Sequence, residues 1–474
     1  MNSPNSDEVM GALWNSVDSM RGLIDIGEAR NFILGLLVLK KLSETDGPTL
    51  VNWNEIASRN FDVGMALNDA FSRLERKNPE LQGSLESIDF NSDRIGGRDI
   101  RDALWKNVIS ILSQINLSSM ETSSPGSICE LDIDLNERFT NASGLKGPFD
   151  TPACVINLLS ELLAPPDGST VFDPFCASGT TIVGTSCFVS EKKPRAKIKL
   201  FGQTPNVNGI STIRLNLLLT NNDSAQIALG DVIRQPGFTD KFGKLMTFNR
   251  ILCTIPMGVK NWGEEIAQND NYFRFSYGIP PRTQGEYGYL QHCISSLAED
   301  GILTCVVPPS MLFRERSEGD IRKRMINHDI IEAVIALPNK LYSQTGIGLA
   351  VLIINRHKPA DRKNKILFIN AKNDFLAGRS QNKLRDIDRK KIINAYLNFE
   401  GKEGYCRVCS LDEIAMNGFQ LDVSQYIKEK RDSIPSLDFD EAVKDLEKIQ
   451  KEKSGAYEKM TASLTRLIEY RRMK

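Results

Sequence analysis

Seven short apolar runs recur between residues 169 and 356, separated by helical or turn segments. They are "STVFD", "KIKLFG", "AQIALGD", "NRILCTI", "ILTCVV", "IIEAVIALP" and "LAVLIINR". Their Val/Ile/Leu content is nearly continuous rather than alternating, as expected of strands buried on both faces. Between them, "ISTIRLNLLLT" and "YLQHCISSLAED" have helical character, and the second is expected to end at Gly301. Strands alternating with helices require a doubly wound, Rossmann-like α/β sheet with parallel strands.

The chain before that region has a different period. Met10, Leu13, Val17 and Met20 recur at three- and four-residue steps, and Phe32, Leu36 and Leu39 repeat the pattern beyond Gly27. "GMALNDAFSRLE" and "ALWKNVISILSQI" continue it, and the polar "SSMETSSPGS" reads as a loop. Residues 1–135 are therefore expected to form an all-helical domain, 136–360 the α/β domain, and 361–432 a mixed extension. "KRDSIPS" reads as a linker, and 433–474 as an amphipathic or coiled-coil helix carrying Tyr457, Met460, Leu464 and Leu467. A chain of 474 residues accommodates two or three such domains.

Lys and Arg total 59 against 60 Asp and Glu, so nucleic-acid contact requires a local basic patch or a partner. "FRERSEGDIRKR" is one such patch; the plainer reading is a solvated helix start. The N-terminus lacks the pattern of a secretion signal, and "FILGLLVL" is too short to span a bilayer. Nine cysteines without a disulfide framework favour a cytoplasmic location and no membrane. Cys406 and Cys409 have C-x-x-C spacing, but no second pair or histidine cluster accompanies them, so no metal is expected. They read as small residues on one face of an edge strand.

In a doubly wound sheet, ligands sit at the carboxyl ends of the strands. Asp173 closes the first strand, and Ala177, Ser178 and Gly179 form a small-residue turn into a helix that lets backbone approach a ligand. At the second strand end, where a nucleoside ligand meets a carboxylate, this chain has Thr204. Asp231 ends the third strand and suits an adenine amino group, or simply caps a turn. The fourth ends in "TIPMGVKNWG", with Thr254, Ile255, Pro256 and Met257 at its tip.

The order "GPFDTP", "DPFCASG", "FGQ", "LGD", "ILCTIPMGVKNWG", "YGIPPR", "LQHCISSL" resembles the methylation subunits of type I restriction-modification systems, a branch of the N6-adenine DNA methyltransferases. The resemblance extends to the helical N-terminal region and to "RKRMINHDIIEAVIALPNKLYSQTGIG". It implies a SAM-methyltransferase-like sheet with S-adenosyl-L-methionine held by Thr151, Pro152, Asp173, Ala177, Ser178, Gly179, Thr204 and Asp231. It also implies assembly of two methylation subunits with a specificity subunit on DNA, in some systems with a restriction subunit. The family's fourth-strand motif is Asn/Asp-Pro-Pro-Phe/Tyr. There a carboxamide oxygen and the following carbonyl accept the two N–H bonds of a flipped adenine amine while the aromatic stacks on the base. Thr254, Ile255, Pro256 and Met257 stand at those places, Ala177 replaces a glycine, and Thr204 replaces the ribose carboxylate. A positioned polar group is worth ~10²–10³ in rate, so the departures point to a subunit impaired or inactive in methyl transfer that binds DNA or a partner. The alternative is an active N6-adenine methyltransferase working through its retained Asp173, Gly179 and Asp231.

Overall fold

A computed structural model describes residues 6–45, 51–78, 88–118, 127–143, 151–222, 224–379, 381–428 and 439–472, together with 81, 83, 85 and 120. Most of the expected loop at 118–127, all of the expected linker at 430–436, and residues 147–150 of "GPFDTP" lie outside the described residues.

Six helices come first: α1 (Ser6–Met20), α2 (Ile26–Thr45), α3 (Trp53–Ser58), α4 (Val63–Lys77), α5 (Arg98–Leu112) and α6 (Ile128–Ser143). The apolar side chains of α1 that repeat at helical spacing are the ones buried, Leu13 and Met20 completely. Trp105 anchors this core, its Nε1 donating to the Phe90 carbonyl at 2.7 Å.

Next come α7 (Ala153–Leu163), β1 (Thr170–Asp173), α8 (Thr180–Lys192), β2 (Lys199–Thr204), α9 (Val207–Leu219), β3 (Gln226–Leu229) and β4 (Phe248–Thr254). After them are α10 (Glu264–Ala267), α11 (Glu286–Ser295), β5 (Leu297–Val307), α12 (Ser317–Asn327), β6 (Ile331–Ala336), β7 (Ala350–Asn355) and β8 (Lys365–Asn370). The last elements are α13 (Asp386–Asn398), β9 (Cys406–Ser410), α14 (Leu411–Met416), α15 (Val423–Tyr426) and α16 (Phe439–Arg472). The strands form one sheet in the order β3-β2-β1-β4-β5-β7-β6-β8-β9. The sheet is mixed: β7 runs antiparallel to both β5 and β6, and β9 antiparallel to β8.

The helical core takes in Leu215 and Leu219 of α9, so the helices pack directly on the α/β layer. Lys41 donates to the Leu219 carbonyl at 2.6 Å, placing a cation at the carboxyl end of α9. Residues 1–427 accordingly form one compact unit, and α6 runs across residue 135. Residues 428–474 form the second unit, in which Leu446, Ile449, Tyr457 and Met460 of α16 are exposed.

Three sequence expectations are corrected. The helix expected to end at Gly301 ends at Ser295, because Leu297 already pairs with Phe248 in the sheet. Cys406 and Cys409 lie on the edge strand β9, but on opposite faces: Cys406 joins the apolar cluster on one side of the sheet and Cys409 that on the other. A spacing of three cannot keep one face in a structure of period two. Cys129 of α6 and Cys187 of α8 form a disulfide with a Cα–Cα separation of 6.2 Å. Among the described residues, no helix is long and apolar enough to cross a membrane, and no group of three or more His, Cys, Asp or Glu could hold a metal ion.

Candidate active site

Strand order reverses at β1, which has β2 on one side and β4 on the other. The carboxyl ends of β1 and β4, carrying Asp173 and Thr254, therefore meet at the topological switch point where such sheets take ligands. Asp173 is 1% exposed, and its Oδ1 accepts the Phe175 N–H at 2.9 Å. Burial pushes this carboxyl up to about 7. The turn beyond Asp173 is pressed between α8 and α9. The Ser178 carbonyl accepts from Asn216 Nδ2 at 2.9 Å, and a Cβ on Gly179 would lie 3.1 Å from Ile213. Gly179 has φ +81°, and Ala177 has φ +31°.

Thr204 at the end of β2 is 1% exposed, and its hydroxyl accepts the Asn206 N–H of its own turn at 3.3 Å. Asp231 is half-buried and caps a turn: its Oδ1 accepts the N–H groups of Ile233 and Arg234 at 2.8 and 2.9 Å. Two buried clamps hold this turn. Gln203 donates to the carbonyls of Gly230 and Gln235 and accepts from Gly237. Arg274 donates to the carbonyls of Val232 and Ile233 and ion-pairs with Asp270 at 2.6 Å, with both side chains almost fully buried.

At the tip of β4 the side chains turn inward. Thr254 Oγ1 hydrogen-bonds Thr151 Oγ1 at 2.8 Å and the Tyr342 hydroxyl at 2.9 Å. Ile255 is fully buried, and its N–H donates to the Val306 carbonyl at 3.0 Å, continuing the β4–β5 ladder. Pro256 is half-buried, and Met257 packs against the core cluster that contains Tyr342. Pro152, beside Thr151, is the N-cap of α7. Gly258 has φ +67°, and its N–H donates to Glu286 Oε1 at 3.2 Å; Glu286 is 2% exposed and pairs with Arg314 at 3.4 Å. Trp262 is a core side chain whose Nε1 donates to the Pro281 carbonyl, and Gly285 and Gly288 leave the room for its ring.

A model of the N-6 DNA methylase family matches residues 134–433. The chain belongs to the N-6 DNA methylase family. It is 26% identical over 438 residues to the type I restriction enzyme MjaVIII methylase subunit of Methanocaldococcus jannaschii, covering 90% of this chain and 74% of that protein. It is 27% identical over 420 residues to the HindI methylase subunit of Haemophilus influenzae, covering 85% and 91%. The crystal structure of a type I restriction-modification methyltransferase subunit from Streptococcus thermophilus superposes with a TM-score of 0.77 at 21% identity, over 90% of this chain and all of that one. That likeness extends the SAM-methyltransferase-like fold to the helical N-terminal region.

Asp173, Thr204 and Thr254 end β1, β2 and β4; Ala177, Ser178 and Gly179 lie between β1 and α8, Asp231 follows β3, and Thr151 precedes α7 and touches Thr254. Reading the sequence alone missed Tyr342, Gln203, Arg274 and Glu286. Tyr342 lies six residues beyond the carboxyl end of β6, so the strand-end rule that located the first four sites, extended to the sixth strand, would have reached it. Two of the five basic residues at 313–324 are committed to the fold: Arg322 is buried on the Phe419 and Arg314 carbonyls, and Arg314 pairs with Glu286 and Glu318, while Arg316, Lys323 and Arg324 are exposed. Ala177 holds a left-handed conformation where the family has glycine, at a cost of ~1–2 kcal/mol. Ala177→Gly is accordingly expected to stabilise the chain by about 1 kcal/mol, read as a higher urea midpoint at unchanged slope; a lower midpoint would show that the turn is unstrained.

Proposed function

We propose that this chain is a type I methylation-subunit-like protein that keeps the N6-adenine methyltransferase fold, has lost or nearly lost methyl transfer, and serves as a DNA- and partner-binding subunit. The observation that carries the proposal is the engagement of Thr254. The family's carboxamide aims an acceptor at the adenine amine, whereas the Thr254 hydroxyl is bound on both sides by Thr151 and Tyr342. Met257, at the place of the stacking ring, packs on the core and has no rigid π face.

The residues present fit S-adenosyl-L-methionine only in part. The parts that suit it are the small-residue turn at Cys176–Gly179, with Gly179 at φ +81°, and the carboxylate of Asp231 after β3. At Thr204 no carboxylate faces a ribose, and the hydroxyl there belongs to its own turn. Cofactor binding is therefore weakened or lost. The partners of this reading are a specificity subunit, a second methylation subunit or an intact paralogue, DNA, and in some assemblies a restriction subunit. No membrane is involved, and the location is cytoplasmic.

The test is incorporation of labelled methyl from S-adenosyl-L-methionine into DNA by the purified chain with its specificity partner and no second methylase, beside calorimetric titration of the cofactor. Incorporation at background and weak or absent cofactor heat are expected. Turnover at the ordinary rate of the family would instead establish the alternative, an active N6-adenine methyltransferase built on Asp173, Gly179 and Asp231.

A further inference from the structure

We propose that Arg195, Lys197 and Lys199 grip the phosphate backbone of duplex DNA, at the end of the sheet opposite the candidate active site. The inference rests on the proposed DNA-binding role of this chain, and it deepens that role by naming a surface that carries it.

Five of the eight residues at 192–199 are Lys or Arg and none is acidic, in a chain whose charges otherwise balance. The segment joins α8 to β2, and Lys199 is the first residue of β2. Thr204, at the candidate site, closes the same strand about 17 Å away. The backbone of the segment is fastened along its length. The Ala196 N–H donates to the Lys193 carbonyl at 2.9 Å, across a turn in which Pro194 fixes φ. The Lys197 N–H donates to Asp167 Oδ1 at 2.7 Å, the Lys197 carbonyl accepts from Gly168 at 2.8 Å, and the Lys199 N–H donates to the Ser169 carbonyl at 2.9 Å. Ile198 turns inward onto the apolar cluster that contains Val171 and Leu200, so Lys197 and Lys199 share the outward face. Arg195, Lys197 and Lys199 are exposed, and among the described residues none of them has an ion-pair partner. Asp167 is committed to the Lys197 N–H, and Glu191 to Lys192 at 2.8 Å. Side chains two residues apart on a strand stand about 6.6–6.8 Å apart. One strand of B-DNA presents a phosphate every ~3.4 Å of its axis, so Lys197 and Lys199 fall in register with alternate phosphates, and Arg195 extends the row toward the turn. Among the described residues of the segment no large apolar side chain is exposed, which leaves no anchor for a protein interface.

The experiment is fluorescence-anisotropy titration of a labelled duplex of arbitrary sequence with the full chain, from about 50 to about 200 mM salt. Wild type is compared with Arg195→Gln/Lys197→Gln/Lys199→Gln and with Lys363→Gln/Lys390→Gln/Lys402→Gln, which removes the same charge from other exposed positions. Thermal unfolding reports that each variant keeps the fold; should the row variant unfold, Lys197→Gln/Lys199→Gln takes its place. Each phosphate contact contributes about 0.9 to the slope of log K against log salt. The row variant is expected to reduce the steepness of that slope by about 2–3 and to weaken binding ~10-fold or more at the lowest salt, and the control variant to do far less. Equal losses in the two variants, or an unchanged slope in the row variant, overturn the row. So does polyglutamate that displaces the labelled duplex as well as unlabelled duplex does at matched charge, because the surface then fits an acidic polypeptide. Those outcomes leave the proposed function standing. A wild-type chain with no affinity for the duplex ends the DNA-binding part of that function together with the row, and the loss of methyl transfer is still read separately from labelled methyl.

Discussion

Arg274→Met is expected to destabilise the chain by about 3–5 kcal/mol, the range for breaking a buried ion pair by removing one partner. Arg274 is 1% exposed, and Asp270, its partner at 2.6 Å, has a side chain only 4% exposed. Methionine fills much of the volume but leaves the Asp270 carboxylate uncompensated. It also strips the Val232 and Ile233 carbonyls of donors at 2.8 and 2.9 Å. Those carbonyls belong to the turn whose N–H groups bind Asp231, so the damage reaches the third strand end of the candidate site. Urea unfolding of the variant is the measurement, and a loss below about 1 kcal/mol would refute the account. Replacing Asp270 by asparagine in the same chain should recover part of the loss, because a neutral amide needs no counter-ion.

The second large effect is on pH. Burial pushes the carboxyls of Asp132 and Asp173 up to about 7, and it pushes His292 down to about 3, with Arg274 adding to the latter. The raised carboxyls bind a proton in the folded state that the unfolded chain, titrating near 3.8, does not hold. Between pH 3.8 and 7 their contribution to stability therefore grows as pH falls, and at pH 7 and above it is a cost. His292 acts with the opposite sign: its unfolded form takes up a proton below about 6.5 that the folded form refuses until about 3, so its contribution shrinks as pH falls through that window. The two carboxyls outweigh the one imidazole, and their share is on the order of a few kcal/mol. The comparison of wild type with Asp132→Asn/Asp173→Asn at about pH 7.5 and about pH 5 isolates it. The double variant should gain most over wild type at the higher pH and much less at the lower. An equal difference at both values would mean that these carboxyls titrate normally in the folded chain.

Much of the candidate site was legible because strand tips in a doubly wound sheet are where ligands bind, and strand tips can be found from apolar runs alone. Asp173, Thr204, Asp231 and Thr254 were reached this way. What those side chains do there was less legible. Asp231 serves as a turn cap through its Oδ1, the plainer of the two readings the sequence left open. Thr254 is engaged by Thr151 and Tyr342, residues 103 and 88 positions away, and no local pattern reports a contact across that separation. Of the basic stretch at 313–324, Arg316, Lys323 and Arg324 are exposed at α12, as the plainer reading expected, whereas the carbonyls and carboxylates that bind Arg314 and Arg322 are not visible in sequence.

The sequence by itself determined the layers of this protein. The 3.6-residue period of α1 and α2 and the continuous apolar runs from β1 to β7 are local consequences of which faces must leave water, and local periodicity needs no knowledge of partners. It also determined that the fourth strand end carries a hydroxyl at Thr254 and not a carboxamide. Only the tertiary structure decided that β7 and β9 run antiparallel, that Cys129 meets Cys187, and that a phenol from the β6–β7 connection closes over Thr254. Each of these depends on bringing distant segments together, and the free energy that does so is spread over a whole core rather than written in any one stretch of residues.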